Sequence, residues 1–241
     1  ALSKSSYPAS HPYQHGVIGS MNDLNAASLE DVKTWFRSWY GPNNAVLVLA
    51  GDIDLQTAKQ KALKFFGDIP ASASVKKLPP MIAARSTSTR ETLTDRVPQT
   101  RIYKIWNTPQ YGTATADELS VFGLVLGGSG SSRLDKRLVL GDKIADNVSA
   151  GAEISELGGN FIITADVKEG VDPAKVEAAI QEELDKLLKE GPSADELAQA
   201  STVVRAGFIR GIERIGGFGG KADVLAECAV YTGDPGCFRD S

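Results

Sequence analysis

Apolar spacing predicts a helix, a buried strand and a second helix between residues 28 and 66. After Ser28, apolar residues recur with helical period at Leu29, Val32, Phe36, Trp39 and Tyr40. Ser28 and Asp31 have the spacing of a capping box, and the glycine-proline pair at 41–42 ends the helix. Residues 45–50 are apolar on both faces, which is typical of a central strand in a covered sheet. Residues 55–66 then predict a helix that turns Leu55, Ala58, Ala62, Phe65 and Phe66 inward.

An aperiodic stretch separates this region from a second one. Residues 71–91 are small and polar and include Pro79-Pro80, which predicts a linker. We therefore expect residues 1–75 to be the C-terminal part of a first domain. Residues 76–95 are the expected linker, and residues 96–241 the expected second domain.

The second region alternates strand and helix signals in the order of an α+β sandwich. The predicted elements are a strand at 100–106, a helix capped near Thr115, a short helix at 131–140, strands at 144–154 and 160–167, and helices from Pro173 and from Ala194 to Ile215. Gly158-Gly159 marks a hairpin between the last two strands. The pattern predicts a two-layer α+β fold, an antiparallel or mixed sheet covered by helices. Residues 1–27 lack apolar periodicity and predict an extended loop.

Composition excludes several classes of function. The chain has 241 residues, 42% of them hydrophobic, and a formal net charge of -4, without a basic stripe that would suit nucleic acid. Apolar runs fall far short of the roughly 20 residues that cross a bilayer. No signal-peptide features follow Ala1, so we expect any signal peptide outside this sequence. Cys228 and Cys237 leave two alternatives open, a local disulfide or a buried Cys228 with a free Cys237.

Two sequence patterns resemble a zinc-binding motif and a phosphate-binding loop, but each lacks residues that its motif requires. His11 and His15 are the only histidines and spell H-x-x-Q-H, but Pro12 lies between them, whereas a zinc motif of this kind needs a helix. We therefore predict no metal site there. The glycines at 216–220 precede Lys221, yet Ile215 and Ala222 stand where a phosphate-binding loop needs glycine and a hydroxyl residue. No nucleophile elbow is present, and we predict no catalytic residue.

The stretch WYGPNNAVLVLAGDID at 39–54, with His11-Pro12-Tyr13 and Ile18-Gly19-Ser20 upstream, resembles the bacterial branch of the pitrilysin or insulinase-like zinc metallopeptidases. Segments 126–150 and 216–223 extend the resemblance over nearly the whole chain. The resemblance implies an enzyme in which zinc-bound water attacks a peptide carbonyl, with the glutamate of H-x-x-E-H as general base. That signature is absent here, so we expect zinc and catalysis to lie outside these residues.

The resemblance also implies a role for this chain. It would be a non-catalytic portion of a metalloendopeptidase, forming part of the wall of a peptide-enclosing chamber, in a periplasmic or secreted protein. In the related mitochondrial processing peptidases a glycine-rich loop handles substrate, and the corresponding residues here are Gly127, Gly128, Ser129 and Gly130. The alternative is a catalytically inactive family member that acts as a structural, assembly or peptide-binding subunit.

A substrate-contacting Arg/Tyr pair of the family has no counterpart here. Between the matching flanks at 132–134 and 148–150, Val139 takes the place of the arginine and Asp146 that of the tyrosine. We therefore expect that the chain belongs to the zinc-bearing half, and that a second peptidase half, on the same chain or a partner subunit, supplies the pair. In the alternative alignment Arg137 is the family arginine.

Overall fold

The computed structural model describes residues 2–73 and 75–239, and its contacts divide the chain into two compact units. One, here called the sheet unit, comprises the chain up to Gln14 together with Pro79–Val204. The other, here called the helical unit, comprises His15–Leu78 and the chain from Arg205 onward. The predicted domain limits at 1–75, 76–95 and 96–241 stay a prediction, because these units describe contacts within the chain and not the extent of family domains.

The sheet unit contains a three-stranded antiparallel sheet. Its strands are β1 (Arg101–Thr108), β2 (Ala145–Ile154) and β3 (Gly159–Val167), in the order β1-β3-β2. β2 and β3 form the hairpin predicted at the Gly158-Gly159 pair. Opposite pairs such as Ile102 with Ala165 fix the register of β1 on β3. A bulge between Ala145 and Asn147 interrupts the register of β2.

Helices cover one face of this sheet and form the core with it. They are α5 (Ala114–Gly127), a π-helix (Asp135–Gly141), α6 (Pro173–Glu190) and α7 (Ala194–Ile212). The inward residues of each strand, such as Phe161 and Ile163, meet apolar residues of α5 and α6. The core contains Ile102, Val125, Leu126, Leu134, Leu138, Val148, Phe161, Ile163, Val176, Ile180, Leu184 and Leu187, all nearly inaccessible to water. The predicted α+β fold is confirmed.

Local signals at the ends of α5 and α6 account for their limits. Asp172 caps α6 by accepting a hydrogen bond from the amide of Ala174, with proline in the first turn, and Gly191 at φ 73° ends the helix. Thr113, and not the expected Thr115, caps α5. Leu188, predicted to point inward from α6, is 67% exposed because its neighbour Leu187 takes the core position.

The helical unit has no strand among its described residues. Its helices are α2 (Met21–Ala26), α3 (Leu29–Trp39), α4 (Leu55–Phe66) and α8 (Lys221–Thr232), and α7 runs into it from the sheet unit. The capping box of Ser28 and Asp31 at the start of α3 is confirmed, and Asp54 caps α4. A disulfide joins Cys228 to Cys237, so the alternative with a free Cys237 is wrong.

The prediction of a buried strand at 45–50 is wrong for this structure. These residues carry no regular secondary structure, and Leu47 remains 53% exposed. The inward face predicted for α4 is equally uncovered, since Leu55 is 70% exposed. A strand needs neighbours that accept and donate its backbone hydrogen bonds, and the described residues of the helical unit offer none.

The N-terminal segment is more ordered than the predicted loop. It contains α1 (Leu2–Ser6), a 3-10 turn at Pro12–Gln14 and α2, whose N-terminus is capped by Ser20. Apolar periodicity does not reveal helices of five or six residues, because they are shorter than two turns. None of the helices in the part of the chain that the structure describes combines the length and apolarity needed to cross a bilayer.

Candidate functional site

His11 fastens the N-terminal segment to the sheet unit. The ring is buried, and its Nε2 lies 2.7 Å from the carbonyl oxygen of Met81, to which it donates. Its Nδ1 accepts a hydrogen bond from the backbone amide of Tyr13 at 3.0 Å. The ring also stacks on Tyr7, with centroids 4.5 Å apart. Both ring nitrogens are therefore engaged by protein groups, and neither offers a lone pair to a metal.

The two tyrosines around His11 hold the β2–β3 hairpin. The hydroxyl of Tyr7 accepts a hydrogen bond from Asn160 at 2.9 Å, and the hydroxyl of Tyr13 accepts one from the amide of Leu157 at 3.0 Å. Burial, the largest influence, raises the pKa of Tyr7. The H-P-Y segment is therefore a structural clamp on the sheet unit, and sequence reasoning placed it in a loop without finding this role.

The glycine-rich loop at 127–130 divides into a packed part and an exposed part. A Cβ on Gly127 would lie 2.5 Å from the backbone nitrogen of Ala150, so glycine is required where α5 crosses β2. Gly128 is exposed, although a Cβ there would meet the Cα of Leu124 in the preceding turn at 2.7 Å. Around Gly130, in contrast, a Cβ would meet only a side-chain oxygen at 3.8 Å. Only the exposed part, from Gly128 to Gly130, is accessible to a ligand.

A small cavity lies beside this loop. Its volume is about 20 Å³. The polar residues that line it are Ser129, Ser131, Ser132, Glu196 and Gln199, and apolar residues of α5 and α7 complete the lining. The Oγ of Ser132 is buried and has no hydrogen-bond partner among the described residues. This volume suits one water molecule and no peptide side chain. A peptide would therefore contact the loop from outside the cavity.

An ion pair ties the residues after the loop to the start of α7. Arg133 donates from Nε and Nη2 to the two carboxylate oxygens of Glu196, at 2.7 and 2.8 Å, and also reaches the carbonyl of Gly191 at 3.1 Å. Glu196 in turn accepts from the amide of Ser193, completing a capping box. The hydrogen bonds from Arg133, and then those from Ser193, lower the pKa of Glu196 from its ordinary 4.5 to about 2.

The positions aligned with the family's Arg/Tyr pair carry no such chemistry here. Val139 packs against the core from the π-helix, and Asp146 is exposed at the bulge of β2. Arg137 donates to Asp142 at 2.5 Å and to Glu182 at 3.2 Å. Its guanidinium is therefore engaged with carboxylates of its own chain, and the structure gives no support to Arg137 as a substrate-binding arginine.

The sheet has a second face opposite the helices, here called the open face. It is half-buried at Ile105, Ile162 and Thr164. The N-terminal segment contacts it at Asn107 and Asn160. Alternate residues of β1 and their partners on β3 point there, as in the pairs Tyr103 with Thr164 and Ile105 with Ile162. Tyr103 is 42% exposed. At one end Arg101 pairs with Asp166, and this pairing raises the pKa of Arg101. The open face thus combines aromatic, aliphatic, hydroxyl and charged groups on a rigid surface. Sequence reasoning missed it, because the register of β1 on β3 is not visible in the sequence of either strand alone.

Comparisons with known proteins identify the family. Residues 26–203 match the family described as "Peptidase M16 inactive domain". The chain belongs to the peptidase M16 family and matches it in the inactive domain. The resemblance to pitrilysin-like peptidases is thereby confirmed.

Two curated proteins are similar to parts of the chain. A curated relative, "Zinc protease PqqE" of Helicobacter pylori, is 34% identical over 56 residues, which are 23% of this chain and 13% of that protein. "Protein YhjJ" of Escherichia coli is 25% identical over 80 residues, 33% of this chain and 16% of that protein. The chain therefore matches only a small part of these curated relatives.

Solved structures share the fold. A peptidase M16 inactive domain from Pseudomonas fluorescens has a TM-score of 0.83 and 19% identity over 99% of this chain and 55% of its own. A protease from Helicobacter pylori has a TM-score of 0.79 and 21% identity over 95% of this chain and 55% of its own. The chain thus spans about half the length of these structures.

The residues present do not fit the zinc ion on which the family depends. His11 has both ring nitrogens engaged, and His15 is exposed on the neighbouring turn. Within residues 2–73 and 75–239, no three histidine, cysteine, aspartate or glutamate side chains cluster as metal ligands would. No catalytic step is therefore assigned to side chains of this chain.

Proposed function

We propose that this chain is the non-catalytic portion of a zinc metalloendopeptidase and forms part of the wall of a chamber that encloses a peptide. One observation carries the proposal: helices cover one face of the sheet, whereas the other face is partly accessible and exposes 42% of Tyr103. A peptide has both apolar side chains and hydrogen-bonding groups, and the open face offers partners for both in Tyr103, Ile105 and Thr164.

The exposed part of the glycine-rich loop is the second proposed contact with the peptide. Gly128, Ser129 and Gly130 are exposed, and two glycines allow a peptide backbone to approach closely. The fixed position of Gly127 against β2 supports this role, because it holds the loop in one place. Gly127 itself is buried and would act by packing alone.

The Arg/Tyr pair would come from a second peptidase half, either further along the same polypeptide or on a partner subunit. Val139 and Asp146 supply neither the donor nor the phenol that the pair provides. The match to the inactive domain corrects the expectation that the chain belongs to the zinc-bearing half. On this proposal, zinc with its ligands lies outside these residues.

A periplasmic or secreted location is part of the proposal. The disulfide between Cys228 and Cys237 supports it, because disulfides persist mainly in oxidising compartments. Fusion of the whole gene product to a reporter that is active only outside the cytoplasm tests this point. A fusion that is expressed but shows no reporter activity would contradict it.

Peptide hydrolysis distinguishes the proposal from a catalytically inactive assembly subunit. The assay uses a quenched fluorogenic peptide with this chain alone and with the whole protein that its gene encodes. We expect no hydrolysis by the chain alone, and hydrolysis by the whole protein that a chelator abolishes and zinc restores. Hydrolysis by the chain alone would refute its non-catalytic role. A folded whole protein without activity would favour the assembly subunit.

A further inference from the structure

The first residues of the chain cover one end of the open face. We call residues 2–14 the strap, which comprises α1 and the 3-10 turn after it. The carbonyl oxygen of Ser6 accepts a hydrogen bond from Nδ2 of Asn107 at 3.1 Å, and the hydroxyl of Tyr7 accepts one from Nδ2 of Asn160 at 2.9 Å. Ser6 and Tyr7 are both buried. The strap therefore occupies the polar groups at the end of the open face where β1 finishes.

Asn107 and Asn160 act together as one polar site. They lie opposite each other in β1 and β3, and Nδ2 of Asn107 is 3.3 Å from Oδ1 of Asn160. Each side-chain amide also directs one N–H group at the strap. Both residues are half-buried, so an N–H group left there without an acceptor costs more than its hydrogen bond contributes. The pair therefore requires an acceptor whenever the strap is away.

The acceptor that Asn107 binds is a backbone carbonyl group, the same group that every peptide carries. The open face continues from the asparagine pair through Ile105 with Ile162 to Tyr103 with Thr164. Residues on one face of a strand are about 6.6 Å apart, so about 13 Å separates Tyr103 from Asn107. An extended peptide of about four residues spans that distance. A peptide that contacts Tyr103 and runs along β1 therefore reaches the pair.

We propose that Asn107 and Asn160 form a subsite for the carbonyl groups of a bound peptide, and that the strap occupies this subsite as an internal competitor. The inference rests on the proposed peptide contact of the open face, to which it adds a subsite and its regulation. A peptide bound at Tyr103 extends over the pair only when the strap has moved away. The measured affinity is therefore reduced by the small fraction of molecules in which the strap is open.

A closed cycle of four hydrogen bonds holds the strap in place. Nε2 of His11 donates to the carbonyl of Met81, whose amide donates to the carbonyl of Leu157 at 2.6 Å. The amide of Leu157 donates to the hydroxyl of Tyr13, and the amide of Tyr13 donates to Nδ1 of His11. α1 has only five residues, too few for a stable helix without support. Loss of one member of the cycle should loosen the strap, so the cycle is its latch.

Peptide binding to latch variants tests the proposal in the whole protein that the gene encodes, with a chelator present. The probe is a dye-labelled alanine-leucine peptide of about ten residues, long enough to span the open face, and fluorescence anisotropy measures its affinity. We expect His11→Leu to bind the peptide about 10-fold more tightly, because the strap no longer competes. Adding Asn107→Ala to His11→Leu should reverse this gain. His15→Leu is the matched control, since His15 is exposed and lies outside the cycle.

Hydrogen exchange measures separately whether the strap is released. The amides of Tyr7 and Leu157 are hydrogen-bonded when the strap is closed. In His11→Leu they should exchange at least about 10-fold faster, while the amides of β3 stay protected. Tyr13→Phe is a milder variant, because it removes only the acceptor of the Leu157 amide, and it should change affinity and exchange in the same direction. If His11→Leu unfolds the sheet unit, Tyr13→Phe decides the outcome.

Every other outcome overturns the proposal. A strap that stays protected in both variants would show that the cycle is not its latch. Unchanged affinity with a released strap would show that the strap does not compete, and weaker binding would make the strap part of the binding wall. A gain that persists after Asn107→Ala would mean that the pair is not the subsite.

A crosslinker in place of Tyr103 separates these failures from a failure of the proposed function. If it captures the peptide while the latch variants bind like the wild type, only the strap and its subsite are refuted. If no variant binds the peptide and position 103 captures none, the proposed function fails, and this inference fails with it.

Discussion

Neutralising Glu196 should destabilise the sheet unit and remove part of its acid sensitivity. The side chains of Arg133 and Glu196 are 17% and 24% exposed, so water screens their two hydrogen bonds only weakly. The pKa of Glu196 falls from 4.5 to about 2 on folding. At about 1.4 kcal/mol per pKa unit, the lowered pKa corresponds to roughly 3 kcal/mol of stability at neutral pH.

The direction of the pH effect follows from the lowered pKa. Glu196 is ionised in the folded protein down to about pH 2, whereas in the unfolded chain it takes up a proton near its ordinary value of 4.5. Its contribution is therefore fully present above about pH 5 and is lost as the pH falls toward 2. About 2 kcal/mol of the contribution should be gone at pH 3.

Urea denaturation followed by circular dichroism measures both effects. We expect Glu196→Gln to lower the free energy of unfolding by about 2 to 3 kcal/mol at pH 7, because Arg133 keeps a neutral acceptor and loses its counter-charge. The gap between variant and wild type should narrow at pH 3. Glu169→Gln, at an exposed glutamate in the turn after β3, is the control and should match the wild type. Equal stability of Glu196→Gln and wild type at both pH values would refute the reasoning.

Three further predictions test other parts of the structure. Gly127→Ala should cost about 1 to 3 kcal/mol in thermal or urea denaturation, because its Cβ would meet the backbone of β2, whereas Gly207→Ala, with open space around it, should cost nothing. Limited proteolysis should cut first within residues 71–95, and a protected linker with cleavage elsewhere would count against the predicted boundary. Metal analysis after dialysis should find no stoichiometric zinc on the isolated chain, and zinc that disappears on replacing either histidine would contradict the role assigned to His11.

The sheet unit could be predicted from the sequence because its signals are local and agree with its packing. Gly158-Gly159 forms the hairpin turn, Asp172 starts α6, and Val176, Ile180 and Leu184 fall on its buried face. The core of the sheet unit is formed by the strands and helices of that unit itself. The apolar pattern of the sequence and the burial of side chains in the structure therefore agree for the sheet unit.

In the helical unit, the local sequence predicts the helix caps correctly, but its prediction of a strand at residues 45–50 is wrong. The capping box at Ser28 forms as predicted, and Asp54 caps α4 in the same way. Each cap needs only neighbouring residues. Residues 45–50 have an equally clear strand pattern but no strand beside them, because pairing depends on residues distant in sequence or outside it. The pattern predicts how these residues behave in a complete sheet and not whether that sheet is present.

Only part of the candidate site is visible in the sequence, because the rest depends on contacts between residues that are distant in sequence. The glycines at 127–130 are visible as a motif, whereas the open face depends on the register of Tyr103 with Thr164, which the sequence of one strand does not specify. The ion pair of Arg133 with Glu196 joins residues 63 positions apart. No local signal marks such a pair.

Photocrosslinking of a substrate peptide tests most directly whether this chain forms the wall of a peptide chamber. A benzophenone amino acid replaces Tyr103 on the open face or, as the control, Leu188 on the outer face of α6, in the whole protein held inactive by a chelator. We expect the peptide to crosslink at position 103 and not at position 188. Equal crosslinking at both positions, or none at position 103, would contradict the account.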